Sequence, residues 1–431
     1  MRVLVTGAYG FIGSHIVTAL VSAGHEVICA VRKGRIDRRF PQLSAVACDM
    51  ARDVRVEAWL PRLVGIDAVV NCAGILREDR ANRYENVHVQ APWALYRACV
   101  ESGIKQVVQI SALGFASDGA FIASKHRGDA LLTAMPLAST ILRPSLVYSV
   151  RGSYGGTSLL RAMAALPWMI VIPRSAMQPC VQPIAAEDVG LAVAAALRHP
   201  RQASRTLELV GPCAMGLDDY LQQWRHWLDL PAARLRTLPN ALVRVACWFG
   251  EKLGRGPLGE TMLRMLEHRN LGSVDAVARM RSELDLAPRP LECALLEAPS
   301  QEQDRWHARL YFALPALRAS MAALWLASGI VGWMPPSADV MAAETGTRFN
   351  PACVLTLARA SATLDLLLGA LCLLRWKPRW VLGGMLAAAC AYTLGIGLMW
   401  PTHWFDPFGG LLKNLPVIAA LLVLLAVEPP R

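Results

Sequence analysis

Charge is scarce in this chain of 431 residues: Asp, Glu, Lys and Arg together make up only 18%, against 54% hydrophobic residues. With a mean hydropathy of +0.34, that composition excludes intrinsic disorder. No block of Lys and Arg interleaved with aromatics is present, so the net charge of +11 does not describe a nucleic-acid binder. A basic domain held beside anionic lipid explains the sign more simply. The 11 cysteines are scattered, odd in number and never spaced C-x-x-C, which predicts free thiols, a reducing compartment and no metal site. No signal peptide is expected either. The apolar run from Met1 ends at Gly7, too soon for a secretory signal, so the first domain is expected to stay in the cytoplasm.

What charge there is lies unevenly. Residues 306–431 hold 9 Lys and Arg and 5 Asp and Glu, leaving 35 and 28 for residues 1–305. The length predicts two or three domains. The first part reads as globular and mildly basic, the last part as membrane.

Arg2–Thr6 is a short β-branched run, followed by Gly7-Ala8-Tyr9-Gly10-Phe11-Ile12-Gly13 and then by apolar residues at helical spacing, Ile16, Val17, Leu20 and Val21. A second strand at 26–31 completes a βαβ unit. Strands at 45–48, 68–72, 106–111 and 139–142 alternate with helices at 56–63, 93–101 and 121–135, which predicts a doubly wound parallel sheet over about 1–150. Beyond about residue 149 the alternation decays. Helices at 189–197 and 217–228 and a strand at 206–210 predict a smaller lobe over about 151–300. Residues 239–254 are amphipathic, Leu242, Val245, Ala246, Phe249 and Leu253 standing against Arg244 and Lys252. Such a helix packs on the small lobe, lies on a membrane surface or covers a greasy substrate. Prolines at 288, 290 and 299 before a polar stretch mark a linker at 301–310.

Four apolar stretches follow, 311–334, 352–374, 380–400 and 411–427, with Trp333, Trp376, Trp380, Trp400 and Trp404 at their ends. A bilayer-spanning helix needs ~20 mostly apolar residues, so a four-span, all-α bundle is predicted over 311–431. The loop Arg375-Trp376-Lys377-Pro378-Arg379 is strongly positive, which places it and both termini in the cytoplasm of an inner-membrane, multi-pass protein. Arg318, Arg359 and Asp365 fall inside apolar runs, where ionisable groups are paired or functional. Counted from one face, an Arg318–Asp365 ion pair is geometrically allowed.

The glycine turn opens a helix directly after a strand, the context in which such a turn cradles a pyrophosphate at a helix amino terminus. A nicotinamide dinucleotide is therefore expected. An acid about 20 residues past the turn would favour NAD; here the second strand ends in Val31-Arg32-Lys33-Gly34-Arg35. Arg32 and Lys33 suit a 2′-phosphate, so NADP(H) is the preferred cofactor over NAD.

The glycine turn, Cys48-Asp49-Met50, Asn71-Cys72-Ala73-Gly74, Ile110-Ser111-Ala112-Leu113-Gly114, Leu142-Arg143-Pro144-Ser145 and Gln182-Pro183-Ile184 together resemble an extended or atypical short-chain dehydrogenase/reductase. Within that family the chain resembles the branch of the nucleotide-binding accessory subunit of respiratory complex I, over roughly residues 1–300. The tail, with Leu364-Asp365-Leu366 and Phe408-Gly409-Gly410-Leu411-Leu412-Lys413-Asn414, is similar to DoxX-like four-helix membrane domains. The resemblance implies the diphosphate at Gly7–Gly13, the adenine at Asp49 and Met50, Ala73 and Gly74 along the cofactor, and Pro144 near the nicotinamide. It also implies Lys125 at the nicotinamide ribose and Ser111 polarising a substrate oxygen.

The family's Tyr-x-x-x-Lys pair reads Phe121-Ile122-Ala123-Ser124-Lys125, with the spacing kept and the hydroxyl gone. The supporting asparagine is replaced by His88, which either holds structure and water or supplies the missing proton. Losing a positioned acid costs ~10²–10⁴ in rate. Two functions remain open. One is a membrane-tethered NADP(H)-dependent oxidoreductase acting on a lipophilic or quinone-like substrate. The other is a catalytically silent NADP(H)-binding sensor or structural module for a membrane partner.

Overall fold

The computed structural model describes residues 1–32, 39–198, 203–253, 260–342, 350–399, 401–405 and 410–428. The chain divides into two compact units, Met1–Ala308 and Arg309–Arg431.

The first unit is built on a parallel sheet. Strands β1 (Arg2–Thr6), β2 (Glu26–Val31), β3 (Ser44–Ala47), β4 (Ala68–Asn71), β5 (Gln106–Ile110) and β6 (Ser139–Pro144) are followed by the short β7 (Val147–Tyr148), β8 (Met169–Pro173) and β9 (Ile184–Ala185), then β10 (Arg205–Leu209) and β11 (Arg234–Leu238). Seven of them form one sheet in the order β10-β6-β5-β4-β1-β2-β3, every pairing parallel. Strand order reverses beside β1, so the crevice at the strands' carboxyl ends opens there. Val3 and Val5 of β1 enter one core with Ile16, Val17 and Leu20. Leu4 enters another with Trp59, Leu95 and Tyr96. Both faces are thus covered, as a parallel sheet requires.

Helices α1 (Phe11–Ser22), α2 (Ala91–Glu101) and α3 (Ala120–Thr133) fill the crossovers, and α4 (Gly156–Ala164), α5 (Ala186–Arg198) and α6 (Leu217–Trp227) follow. The region predicted as a helix at 56–63 is two separate 3₁₀ turns, Val56–Ala58 and Leu60–Arg62; Pro61 has no N–H to continue a helical ladder. The strand near 206–210 also departs from expectation. As β10 it pairs with β6 and completes the main sheet, while α5 packs on α1. Gly190 makes that approach possible, since a Cβ there would lie 2.8 Å from the His15 carbonyl oxygen. The chain therefore leaves the nucleotide fold after β6 and comes back to it.

The excursion forms the smaller lobe. β8 and β11 pair as a two-stranded parallel sheet over a core containing Tyr148, Tyr220, Trp224 and Trp227. The buried Arg161 guanidinium lies 4.2 Å from the centre of the Trp224 ring. Helices α7 (Asn240–Leu253), α8 (Glu260–Glu267), α9 (Ala276–Leu284) and α10 (Leu291–Glu297) complete this unit. Residues 301–310, read from sequence as a linker, are helical from Glu302 onward, because α11 runs over Glu302–Trp333.

In the second unit, α11 is followed by α12 (Ser337–Ala342), α13 (Pro351–Leu373), α14 (Pro378–Met399) and α15 (Asn414–Val427). Among the described residues, three helices are long and apolar enough to cross a membrane: Glu302–Trp333, Pro351–Leu373 and Pro378–Leu398. The fourth expected span, α15, is an apolar helix of 14 residues, roughly 21 Å at ~1.5 Å per residue, short of a hydrocarbon core of ~30 Å. The expected Arg318–Asp365 pair does not form. Arg318 pairs with Glu428, which Arg375 also approaches at 3.8 Å. Asp365 instead accepts from the hydroxyls of Ser328 at 2.8 Å and Tyr392 at 3.2 Å. Arg359 donates to the carbonyls of Gly332 and Pro335 at 2.9 and 2.6 Å, where a cation favourably meets the end of α11.

Candidate functional site

Each residue assigned from sequence to cofactor or catalysis lies at the carboxyl end of a sheet strand or on the helix beside it, Lys33 apart, which falls outside the described residues. Gly7, Ala8, Tyr9, Gly10, Phe11, Ile12 and Gly13 join β1 to α1. Gly7 has φ +65°, and a Cβ on it would stand 2.8 Å from the Cys72 carbonyl oxygen. A Cβ on Gly13 would stand 2.1 Å from the Gly7 carbonyl oxygen. Only glycine fits either position, and the turn so formed aims the first N–H groups of α1 into the crevice, with the positive end of the helix dipole behind them. The residues present therefore fit a dinucleotide pyrophosphate.

Arg32 stands exposed just beyond β2 and donates to Asn82 Oδ1 at 2.9 Å. Arg39, which the sequence reading passed over, donates to the Tyr9 carbonyl at 2.9 Å and so lies against the glycine turn. Asp49, after β3, is half-exposed, and its carboxylate is held by the Ala51 N–H at 3.1 Å; Met50 beside it is buried. Ala73 and Gly74 follow β4, and Pro144 ends β6. Beneath these strand ends runs a buried network that leaves no local signal in the sequence. Thr6 donates to Asn71 Oδ1 at 2.5 Å, and Asn71 Nδ2 and the Tyr96 hydroxyl both donate to Gln109 Oε1, at 2.8 and 2.7 Å. It ties β1, β4 and β5 together at the floor of the crevice.

Lys125 reaches that floor from α3. Its ammonium donates to the carbonyls of Ala73 at 3.1 Å and Ile110 at 3.2 Å, one carbonyl from beyond β4 and one from β5. A Cβ on Gly74 would stand 2.9 Å from Nζ and would shift the ammonium. Burial pulls its pKa below the usual lysine range, with Cys72 and Asp129 acting in the opposite direction.

The two other expected catalytic groups are otherwise engaged. Ser111 donates its hydroxyl proton to Asp129 Oδ2 at 2.7 Å, and the same oxygen accepts from Arg143 at 2.9 and 3.0 Å. That charge-assisted bond commits the serine proton to α3 instead of to a substrate oxygen. His88 lies 2% exposed in a π-helical turn, Glu85–Gln90. Its Nε2 accepts from the Ile75 N–H at 3.1 Å, which fixes the proton on Nδ1. Nδ1 then donates to Ser124 Oγ at 2.8 Å, and that hydroxyl donates to the Phe121 carbonyl at 2.8 Å. Burial, and after it the Lys125 charge, pushes the His88 pKa down to about 2. Both nitrogens are occupied, so His88 takes the structural one of its two expected roles.

Phe121 fills the place of the family's tyrosine. Its ring stands edge-on to His88 with centroids 5.7 Å apart, Tyr84 stacks on His88 at 5.3 Å, and the Tyr84 and Phe121 rings lie 6.3 Å apart. The Tyr84 hydroxyl donates to the Leu76 carbonyl at 2.6 Å. Three aromatic rings therefore wall the site where a proton donor is expected. Gly128 brings α3 close, since a Cβ there would lie 2.3 Å from the His88 carbonyl oxygen.

On the far side of the loop before α3, the buried Asp118 lies 2.5 Å from His268 Nδ1. His268 lines a cavity of about 360 Å³ with Arg244, Leu263, Arg264 and Glu267. Sequence spacing gave no access to this pair, whose members are 150 residues apart.

Residues 3–206 match the NAD dependent epimerase/dehydratase family, and residues 322–422 match the DoxX-like family. The first unit is an epimerase-type, short-chain-dehydrogenase-like nucleotide-binding domain, and a DoxX-like domain follows it. The epimerase-type domain resembles NADH dehydrogenase [ubiquinone] 1 alpha subcomplex subunit 9, mitochondrial, of Rattus norvegicus, at 25% identity over 320 residues, 70% of this chain and 81% of the relative. The 40 kDa subunit of NADH-ubiquinone oxidoreductase from Neurospora crassa is 24% identical over 260 residues, 57% of this chain and 66% of that protein. Among solved structures, UDP-glucuronic acid 4-epimerase from Bacillus cereus, in complex with UDP-glucuronic acid and NAD, covers 72% of this chain and 100% of its own at 16% identity, with a TM-score of 0.52. A likeness at that identity establishes the fold of the epimerase-type domain, the Rossmann-like sheet described above.

Proposed function

We propose that this chain is a membrane-tethered NADP(H)-binding protein of oxidoreductase type whose site holds the dinucleotide without delivering a proton to a carbonyl. Bound there, the nicotinamide would supply a hydride. Gly7 to Gly13 and the start of α1 would hold the diphosphate, Asp49 and Met50 the adenine, and Lys125 the nicotinamide ribose. Ala73, Gly74 and Pro144 would line its path. Arg32, directly after β2 with no acid between, and Arg39 against the glycine turn support a 2′-phosphate.

The observation that carries the proposal is the condition of the three proton sources. Phe121 has no hydroxyl, the Ser111 proton is held by Asp129, and His88 is clamped neutral by Ile75 and Ser124. A ketone accepting hydride needs a proton at its oxygen as charge develops there. A quinone-like acceptor spreads that charge over its ring and depends less on a protein acid. A lipophilic quinone-like molecule is therefore the substrate class the site favours, and its source is the bilayer that the DoxX-like helices cross. The second reading, a cofactor-binding module that does not turn over, rests on the same Phe121 and is favoured by the aromatic wall around it.

The deciding experiment measures NADPH binding and NADPH oxidation on the full chain against panels of quinones and simple carbonyls, for wild type and Phe121→Tyr. Expected are tight NADPH binding, quinone-dependent oxidation, negligible carbonyl turnover, and some carbonyl turnover in the tyrosine variant at unchanged NADPH affinity. Binding with no oxidation by any acceptor selects the silent module. Robust carbonyl reduction by the wild type sinks both readings.

A further inference from the structure

The second lobe of the first unit carries a face that the nucleotide site does not use. Because side chains alternate along a strand, the pairing of Arg234 with Met169 and of Arg236 with Val171 sets Met169, Val171, Arg234, Arg236 and Leu238 on one side of the two-stranded sheet. The alternate β8 residues Ile170 and Ile172 point into the lobe's core. Trp168, directly before β8, is 81% exposed. Helix α7 begins two residues after Leu238. It turns Cys247 inward and Leu242, Val245 and Trp248 outward, at 57%, 53% and 50% exposure. Of the apolar stripe read from sequence, Leu242 and Val245 thus face solvent.

The strands and most of α7 carry arginines and no acid, with Asp229 and Glu251 just beyond them. Residues 167–178 and 230–250 contain Arg174, Arg234, Arg236 and Arg244 and no Asp or Glu. Arg244 meets Glu267 at 3.2 Å, whereas Arg234 and Arg236 have no carboxylate partner among the described residues. Two tryptophans and several aliphatic side chains interleaved with unpaired arginines make an unfavourable surface for bulk water. They match the boundary between anionic headgroups and acyl chains, where indole rings and guanidinium groups are both well solvated. A protein partner would have to supply acids and an apolar groove in register. A bilayer supplies both continuously, and the chain carries helices apolar and long enough to cross one.

We propose that the β8–β11–α7 face docks on the anionic surface of a lipid bilayer, with Trp168 and Trp248 entering the headgroup layer and Arg234 and Arg236 pairing with lipid phosphates. Docking of this face does not depend on whether the bound nucleotide turns over.

The test is hydrogen exchange on the full chain in nanodiscs of phosphatidylcholine alone, in nanodiscs containing phosphatidylglycerol, and in neutral detergent. Peptides covering 168–177 and 234–248 are expected to exchange more slowly in the anionic discs than in either other setting. An arginine beside an anionic surface contributes about a fivefold factor, so the double variant R234E/R236E is expected to reduce the protected population by about 25-fold or more. The variant R234K/R236K retains the protection. Unchanged exchange of peptides from β1, β4 and β5 shows that both variants are folded. Equal exchange in all three settings overturns the proposal. Protection that persists in detergent and rises with protein concentration also overturns it, and assigns the face to a second copy of the chain.

Discussion

The two units handle buried polarity in opposite ways. In the epimerase-type domain polar groups converge: Thr6, Asn71, Gln109, Ser111, Lys125 and Asp129 meet at one edge of a sheet whose faces are otherwise Val, Leu and Ile. In the DoxX-like domain charge is dispersed to the helix ends, where Glu428 receives Arg318 and Arg375 and Arg359 caps α11. The carboxylate left within the bundle, Asp365, has hydroxyl partners instead of a cation. A crevice that exchanges water for a charged ligand can concentrate unsatisfied donors. A bundle in lipid has no such exchange, so each charge needs a partner or a helix end. Small residues replace polar ones as the means of close contact: a Cβ on Gly329 would lie 2.6 Å from the Ala362 carbonyl oxygen.

That contrast is most easily broken at its two extremes. In the crevice, Gly13→Val puts a side chain into the Gly7 carbonyl and is expected to abolish NADPH binding, a loss of more than ~100-fold by titration, since the backbone can no longer approach a pyrophosphate. Circular dichroism of the variant separates lost binding from lost fold.

In the bundle, Glu428→Gln leaves Arg318 buried without its carboxylate, at a cost of about 3–5 kcal/mol, read as a lowered midpoint of thermal unfolding in detergent. Asp365→Asn keeps hydroxyl partners and is expected to cost about 1 kcal/mol. A double-mutant cycle between Arg318 and Asp365 should be additive; a coupling above ~1 kcal/mol would contradict the pairing described here.

Cofactor choice comes next in size. Arg32→Ala is expected to weaken NADPH by about 10- to 100-fold, the worth of one charge-assisted hydrogen bond, and to leave NADH unchanged. Equal loss for both cofactors would remove the 2′-phosphate from the argument.

A further effect is a pH dependence. His88 is neutral in the folded protein down to about pH 2, while its ordinary pKa is 6.5. Below pH 6.5 the unfolded chain therefore takes up a proton that the folded chain refuses, and stability falls as pH falls. Between pH 6.5 and 5 this amounts to about 2 kcal/mol. His88→Asn should flatten that acid limb in urea melts at several pH values; an unchanged limb would show that other groups set it.

Much of the crevice was legible because its signals are local. A strand, a glycine turn and a helix in succession specify a βαβ unit, and the spacing from Phe121 to Lys125 puts both on one helix face. The missing acid after Val31 needed only counting. The roles of Ser111 and His88 were not legible. Asp129, Arg143, Ile75 and Ser124 reach them across 13 to 36 residues of chain, and nothing in the order of the residues fixes which hydrogen bond a hydroxyl or an imidazole adopts.

By itself the sequence determined what depends on neighbours in the chain: the alternation that builds a doubly wound sheet, the glycine cradle, the absent tyrosine hydroxyl, and apolar helices long enough to enter a bilayer. The tertiary structure decided what depends on distant partners. It returned β10 to the main sheet, gave Arg318 to Glu428 instead of Asp365, locked the proton of His88, and turned Leu242 and Val245 of α7 outward. Periodicity gives the hydrophobicity of a face, but only packing decides whether that face is covered. A buried charge takes the partner that the fold brings within hydrogen-bonding reach.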